Sequence, residues 1–303
     1  MALTRRGEIT LWVDAATLAV WRNRTRTRKR GRPSVYSDQA IQCILTLAAV
    51  FALPLRAAQG FARSLLGLLG RNDLPVPNYS TLCRRRMRLT FLPLRQEPRN
   101  RRPLRLVVDS TGLKVSGEGE WKVKKHGKEA KKRRVWREAH LLVDADTHLI
   151  HAVQTTGQEV ADGSVLPALV AQVEGAVEQI SGDGAYDWRS CYEAIRGVGA
   201  RAVIPPRQGA VIWQHGNCKA DPLDRDVALR LIRRKGRSAW KQASGYHRRS
   251  LVETAMGRLK RLFGSHLSAR LEAAQAVETW LRCAALNRMT RLGMPQTTAL
   301  EVR

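Results

Sequence analysis

The sequence predicts an α/β protein in which an all-helical, basic N-terminal region precedes a mixed sheet, and three observations carry that reading. Two apolar helical stretches and a short basic helix occupy the first hundred residues. Three β-rich runs then come in succession, followed by alternating helix and strand. A proline-marked stretch, residues 92–103 with Pro93, Pro98 and Pro103, separates the two textures. The expected domains are 1–100, a basic arm and helical domain, and 101–303, a mixed α/β domain with C-terminal helices.

In order along the chain, Trp21 to Pro33 carries seven basic residues and no acid. It reads as a disordered arm, whose Arg30-Gly-Arg32-Pro core resembles an AT-hook for narrow minor grooves. Asp38 is placed as the N-cap of a helix over Gln39–Ala52, ended by Pro54. A second helix should span Leu55–Leu69, closed by Gly70. After a Pro-rich turn, Tyr79 to Arg88 reads as a short helix presenting Arg84, Arg85 and Arg86. Two packed helices, a turn and a basic helix suggest a helix-turn-helix-like unit with its last helix in the major groove; the bland alternative is a bundle with a solvated basic face.

Beyond the linker, Leu104–Asp109 is β-branched and apolar, the pattern of a buried central strand ending at Asp109, where Ser-Thr-Gly would let the chain turn. Trp136–Val143 and His148–Thr156 look like a strand pair joined at Asp144-Ala-Asp-Thr147. Helix is expected over Ser164–Val177, strand over Gln179–Asp183, helix over Trp188–Gly197, strand over Ala200–Pro205 and helix over Glu272–Leu292. The lysine- and arginine-rich stretch Trp121–Arg137, with nine basic residues, reads as a hairpin or loop laid along DNA.

Composition narrows the partner. The 303 residues hold 53 Lys and Arg against 26 Asp and Glu, a formal charge of +27. Such self-repulsion is relieved by a polyanion, and nucleic acid is the obvious one. The excess is not confined to a tail, since residues 1–100 alone hold 18 basic and 5 acidic side chains. Five widely spaced cysteines show neither zinc-ligand spacing nor a disulfide framework. With no cleavable signal and no apolar run long enough to span a bilayer, a cytoplasmic protein without membrane attachment is expected.

The chemistry is expected from three acids. Asp109 and Asp183 are placed at strand ends, the latter in Gly182-Asp-Gly184, where glycines permit close backbone approach. Glu253 lies in Tyr246-His-Arg-Arg249-Ser-Leu-Val-Glu253-Thr-Ala-Met-Gly-Arg-Leu-Lys260. As one helix, this stretch puts Tyr246, Arg249, Glu253 and Lys260 on a narrow arc, with Leu251, Val252, Ala255, Leu259 and Leu262 opposite. Bunched carboxylates repel without a cation, and two divalent ions are the usual reason to assemble them beside phosphate. Asp144, Asp146, Asp162 and Asp187 read instead as turn or cap residues, Glu193 as solvated, and His140 and His151 as hydrogen-bonded structural residues.

These residues resemble the motifs of the DDE transposases of bacterial insertion sequences. Tyr246, Arg249, Glu253 and Lys260 match the Tyr-x2-Arg-x3-Glu-x6-Lys signature, and Val-Val-Asp109-Ser-Thr-Gly and Gly-Asp183-Gly-Ala-Tyr-Asp the first and second acidic motifs. The match is closest to the fifth insertion-sequence family and its element-903 group. The resemblance implies a ribonuclease-H-like catalytic domain with the triad Asp109, Asp183 and Glu253 holding two Mg2+, for which Mn2+ can substitute. It implies that Tyr246, Arg249 and Lys260 hold the terminal nucleotides and scissile phosphate. Transposon-end and target duplexes are the implied partners, bound by a homodimer or larger synaptic complex on the bacterial nucleoid. The alternative is a catalytically silent DNA-binding protein, a repressor or domesticated derivative.

Overall fold

A computed structural model describes residues 15–23, 34–89, 102–115, 135–214 and 221–292. The chain divides into two compact units, Met1–Thr90 and Phe91–Arg303.

In the first unit, helices α1 (Ala15–Ala19), α2 (Asp38–Val50), α3 (Leu55–Leu68) and α4 (Tyr79–Arg86) are the described elements. Ser37 caps α2 by accepting from the Ala40 amide, so Asp38 is a first-turn acid rather than the N-cap expected of it. Pro54 starts α3, which is bent by 109° from α2. Asn78 caps α4 by accepting from Ser80 N. Ile41, Ile44, Ala58, Leu65 and Leu82 fill the interior between these three mutually packed helices. Trp21 does not belong to a free arm. It is buried, its indole donates to Pro75 O at 2.8 Å, and Trp21–Asn23 bridges Val35–Ser37 through two backbone hydrogen bonds. Among the described residues no single helix is long and apolar enough to cross a membrane.

The second unit is built on a mixed six-stranded sheet, as expected. Its strands are β1 (Leu104–Val115), β2 (Trp136–Asp144), β3 (Ile150–Gly157), β4 (Val177–Ser181), β5 (Arg201–Val203) and β6 (His266–Leu267). The order is β3-β2-β1-β4-β5, with β6 beside the end of β1. The β1–β2 and β2–β3 pairs are antiparallel; β4 and β5 are parallel to β1. Between and after them run α5 (Asp162–Val170), α6 (Arg189–Gly197), α7 (Asp224–Ser244, kinked at Gly236), a 3-10 turn (Tyr246–Ser250), α8 (Leu251–Phe263) and α9 (Glu272–Leu292).

Period-two alternation divides the sheet into two faces. Leu106, Val108, Leu142, Ala152 and Ile180 point to one face and pack with Leu166 and Leu169 of α5, Tyr186, and Ile195 of α6. Val107, Leu141 and Leu113 alternate to the other, where α8 lies on β1 and β2 and α9 lies on β3. Strand β3 is an edge, and α9 covers part of it. Asn287 mimics a neighbouring strand there, accepting from Ile150 N at 2.8 Å and donating to Ile150 O at 2.7 Å.

Several expectations need correcting. Helix α5 ends at Val170, well short of Val177, and β4 spans Val177–Ser181 rather than Gln179–Asp183. Strand β1 does not stop at Asp109 but continues through Ser110-Thr111-Gly112 to Val115, because β2 pairs with it along that whole length. Helix α7 was not foreseen. The stretch from Tyr246 is not one helix: Gly245, in the left-handed region at φ 69°, ends α7, and a 3-10 turn precedes α8. Leu262, expected on the apolar face of that helix, is exposed.

Candidate active site

Sheet register brings the first two acids together. Val107 of β1 pairs with Ser181 of the parallel β4. Asp109 and Asp183 each lie two residues further on, on the α8 side of the sheet. Asp109 is therefore held mid-strand and is mostly buried, and its Oδ1 accepts from Ser110 N at 2.9 Å. Asp183 leaves β4 and caps the 3-10 turn Gly184–Tyr186, accepting from Ala185 N at 2.8 Å. The flanking glycines differ in purpose. A Cβ on Gly182 would lie 2.8 Å from Val108 Cγ1 and 2.9 Å from Tyr186 Cδ2, so Gly182 is imposed by core packing. A Cβ on Gly184 would meet nothing nearer than Pro205 O at 3.7 Å.

Glu253 arrives from the helical layer, in the first turn of α8, with its carboxylate exposed. The Arg249 guanidinium stands among all three acids. Its Nη2 is 3.0 Å from Asp109 Oδ2 and 3.8 Å from Asp183 Oδ2, and its Nη1 is 3.8 Å from Glu253 Oε1. Residues remote in sequence thus converge on one cation. The acids are splayed around it. Among the described residues, the only three carboxylate, imidazole or thiolate donors lying within 4.8 Å of one another are those of Glu138, His140 and Asp162, on the opposite face of the sheet.

Burial pushes the Asp109 carboxyl above the ordinary carboxylate range; the Ser110 amide and Arg249 pull it down, and Asp183 and Asp162 push it up. Burial likewise raises the Tyr246 phenol, and Asp183 and Asp109 add to the effect, which places that ring in the same electrostatic neighbourhood. The Tyr246 ring leans on Trp240 with centroids 5.3 Å apart. A cleft of about 300 Å3 opens beside Lys241, Tyr246, His247 and Arg249. Lys260 is half-buried on α8, seven residues past Glu253, which puts it roughly 10 Å along the same side.

In the N-terminal unit, Arg84 is exposed, whereas Arg85 is engaged by Asp38, Ser34 Oγ and Tyr36 O. Arg86 is half-buried. A groove of about 810 Å3 runs beside Arg84, Arg85 and Arg88. Arg30, Arg32 and most of the Trp121–Arg137 stretch lie outside the described residues.

Asp144, Asp146 and Asp187 keep structural roles. Asp144 accepts from Thr147 N at 3.1 Å and from its hydroxyl at 2.6 Å in the β2–β3 turn. Asp146 pairs with Arg248. Asp187 is no simple cap: it is buried against Arg225 at 2.7 Å and accepts from Arg207 N at 2.9 Å. Glu193 is exposed, as expected. His140 contacts the Thr156 hydroxyl, while His151 Nε2, expected to be hydrogen-bonded, has no hydrogen-bond partner.

Comparison with known proteins sets this geometry in context. A model of the transposase DDE domain matches residues 100–288, and a second of the same description matches residues 4–118. The first covers more than half of the chain, and the chain belongs to the transposase DDE domain family, whose members act in DNA transposition and recombination. Among solved structures, a piggyBac transposase synaptic complex with hairpin DNA is similar at 12% identity, over 88% of this chain and 68% of that one, with a TM-score of 0.38. A Drosophila P element transposase strand transfer complex is similar at 10% identity, over 88% of this chain and 63% of that one, with a TM-score of 0.30.

Proposed function

We propose that the chain is the transposase of a bacterial insertion sequence, in the fifth family and its element-903 group, with a ribonuclease-H-like catalytic domain over residues 101–303. Asp109, Asp183 and Glu253 are its catalytic triad. One observation carries this reading: a single guanidinium lies 3.0–3.8 Å from all three carboxylates. Three acids with no other common purpose share one space that a cation must fill.

The donor set fits the divalent ions that the family generally uses. Three hard oxygen ligands suit Mg2+, or Mn2+ in its place, and a positive group already balances their charge. Two such ions, when bound, supply activation of the attacking oxygen and stabilisation of the leaving one. The chain's own residues do the positioning. Asp109 and Asp183 are fixed by the sheet, whereas Glu253 rides on a helix and is free to close. Arg249 exchanges its carboxylates for the scissile phosphate, which its fork grips in bidentate fashion. Tyr246 turns its ring to a terminal nucleotide. Lys260, two helical turns from Glu253, neutralises a neighbouring phosphate.

Residues 1–100, which include the first unit, serve end recognition as a helix-turn-helix-like domain. Support comes from helices bent by 109° and a basic α4 lining a groove. Arg84 and Arg86 meet the major groove, Arg85 orients the helix through Asp38, and Arg30 and Arg32 enter the minor groove. The partners are duplex transposon ends and target DNA on the cytoplasmic nucleoid, paired by a dimer or larger assembly.

The test uses a duplex carrying the element's own terminal repeat and Mg2+. The wild type nicks at the repeat boundary and joins the new 3′-OH to a second duplex. Asp109→Asn, Asp183→Asn and Glu253→Gln each abolish both steps while end binding persists. Wild-type cutting by any one of the three removes that residue from the triad. Binding without cutting by the wild type would instead mark a silent DNA-binding protein.

A further inference from the structure

The sheet face opposite the triad carries a second group whose bonding is incomplete. Glu138 and His140 are two apart on β2 and point to the α5 side, where Asp162 opens that helix. His140 is fully buried, and its Nδ1 faces Asp162 Oδ1 at 3.3 Å. Neither atom has a hydrogen-bond partner, and both are shut off from solvent. On the ring's other side, Nε2 lies 2.8 Å from Thr156 Oγ1, and that hydroxyl donates its one proton to Gly157 O at 3.1 Å. With that proton on Gly157 O, Nε2 is the N–H donor, and a lone pair is left on Nδ1 of the neutral ring. A lone pair and a carboxylate oxygen thus confront each other in a buried space. Something positive belongs between them.

Glu138, on the same face of β2, brings a third donor to that space.

We propose that Glu138, His140 and Asp162 bind one divalent transition-metal ion, of the Zn2+ or Mn2+ class, distinct from the ions of the triad. Their donor atoms lie within 4.8 Å of one another. With bonds of about 2.1 Å, the 3.3 Å between Nδ1 and Oδ1 subtends about 104° at a shared metal, between octahedral and tetrahedral. One imidazole with two carboxylates favours a transition metal over Mg2+ or Ca2+. The Thr156 hydroxyl fixes the ring tautomer, as an outer partner of a metal-bound histidine does. The ion would tie β2 to the start of α5 behind the strand that carries Asp109.

The experiment uses the full chain with Asp109→Asn, Asp183→Asn and Glu253→Gln, so that the triad cannot compete and failure here leaves the transposase reading untouched. After chelator treatment, Co2+ alone is titrated and followed by its visible absorption. One equivalent binds, Zn2+ displaces it, and millimolar Mg2+ does not. Losing an outer partner costs a metal site 10–100-fold, so His140→Gln and Asp162→Asn should each weaken Co2+ by at least about 100-fold. Glu138→Gln, at a partly exposed position, weakens it less and remains informative if the buried variants fail to fold. Substoichiometric binding, or binding indifferent to these substitutions, overturns the proposal. So does a nitrogen spectrum showing His140 protonated on both nitrogens before and after Co2+ is added.

Discussion

Replacing Arg249 by glutamine separates its two assigned duties, balancing the acids and gripping phosphate. At an effective dielectric constant of about 20, its 3.0 Å contact with Asp109 is worth roughly 5.5 kcal/mol before desolvation is counted. The 3.8 Å contact with Glu253, an exposed carboxylate, is closer to the aqueous limit of about 1 kcal/mol. Removing one partner of a buried pair costs 3–5 kcal/mol, and a group only 23% exposed belongs near the bottom of that range, about 3 kcal/mol. In chelator, Arg249→Gln should therefore lower the melting temperature of the Phe91–Arg303 unit by about 6–12 °C.

Magnesium should reverse the order. The guanidinium and the ions compete for the same oxygens, so the variant binds Mg2+ more tightly than the wild type by calorimetry, by up to about 100-fold if all 3 kcal/mol is recovered. Catalysis nevertheless falls, because the phosphate grip is gone. The pH dependence has a definite sign. Asp109 has a raised carboxyl in the fold, so its favourable contribution is complete below the unfolded value near 4 and is lost as pH rises through the folded value. Arg249 is among the groups that lower it, so the variant's deficit in chelator grows from about pH 4 upward and shrinks on acidification. Weaker Mg2+ binding by Arg249→Gln would refute the competition, and an acid-stable, pH-independent deficit would refute the electrostatic cause.

Two further outcomes follow from packing. Gly182→Ala drives a Cβ to 2.8 Å from Val108 and 2.9 Å from Tyr186 and should cost about 1–3 kcal/mol by urea denaturation, whereas Gly184→Ala should leave stability unchanged; equal effects would show that the Gly-Asp-Gly turn is selected as a unit. Asp187→Ala removes the nearer of two buried carboxylates from Arg225, whose side chain is 5% exposed, leaving Asp226 at 3.5 Å, and should cost about 3 kcal/mol; a cost below about 1 kcal/mol would mean that Asp226 and the Trp213 ring compensate fully.

The elements of this unit were legible wherever a local pattern governs them. Ile150–Gly157 holds four β-branched residues, Trp136–Asp144 carries the apolar run Leu141–Val143, and the expected and observed bounds of Glu272–Leu292 coincide. Ser110-Thr111-Gly112 misled because its residues suit a turn. Pairing with Ala139, Glu138 and His140 of β2 holds it extended all the same, a tertiary override of local preference. Helix α7 escaped because its polar face dominates and Gly236, at φ 84°, interrupts its period. The 3-10 turn at Tyr246–Ser250 was hidden for a related reason. Its side chains repeat acceptably as a helix, and only the left-handed Gly245 reveals the break.

The site shows a sharper division between residue identity and geometry. A motif can name Asp109, Asp183 and Glu253, since chemistry restricts which side chains serve. Their meeting depends on the parallel register of Val107 with Ser181, a pairing between residues 74 positions apart that no local pattern encodes. A one-residue slip of β4 would send Asp183 to the opposite face, towards Leu106 and Val108 in the core and away from Arg249. What prevents the slip is that core: the same shift would carry Ile180 out to the α8 face and bury Gln179 in its place. The apolar alternation of β4 thus fixes the acidic geometry without contributing an atom to it. Substitutions at Ile180 should accordingly perturb cutting through register, while substitutions at Asp183 act on cutting directly.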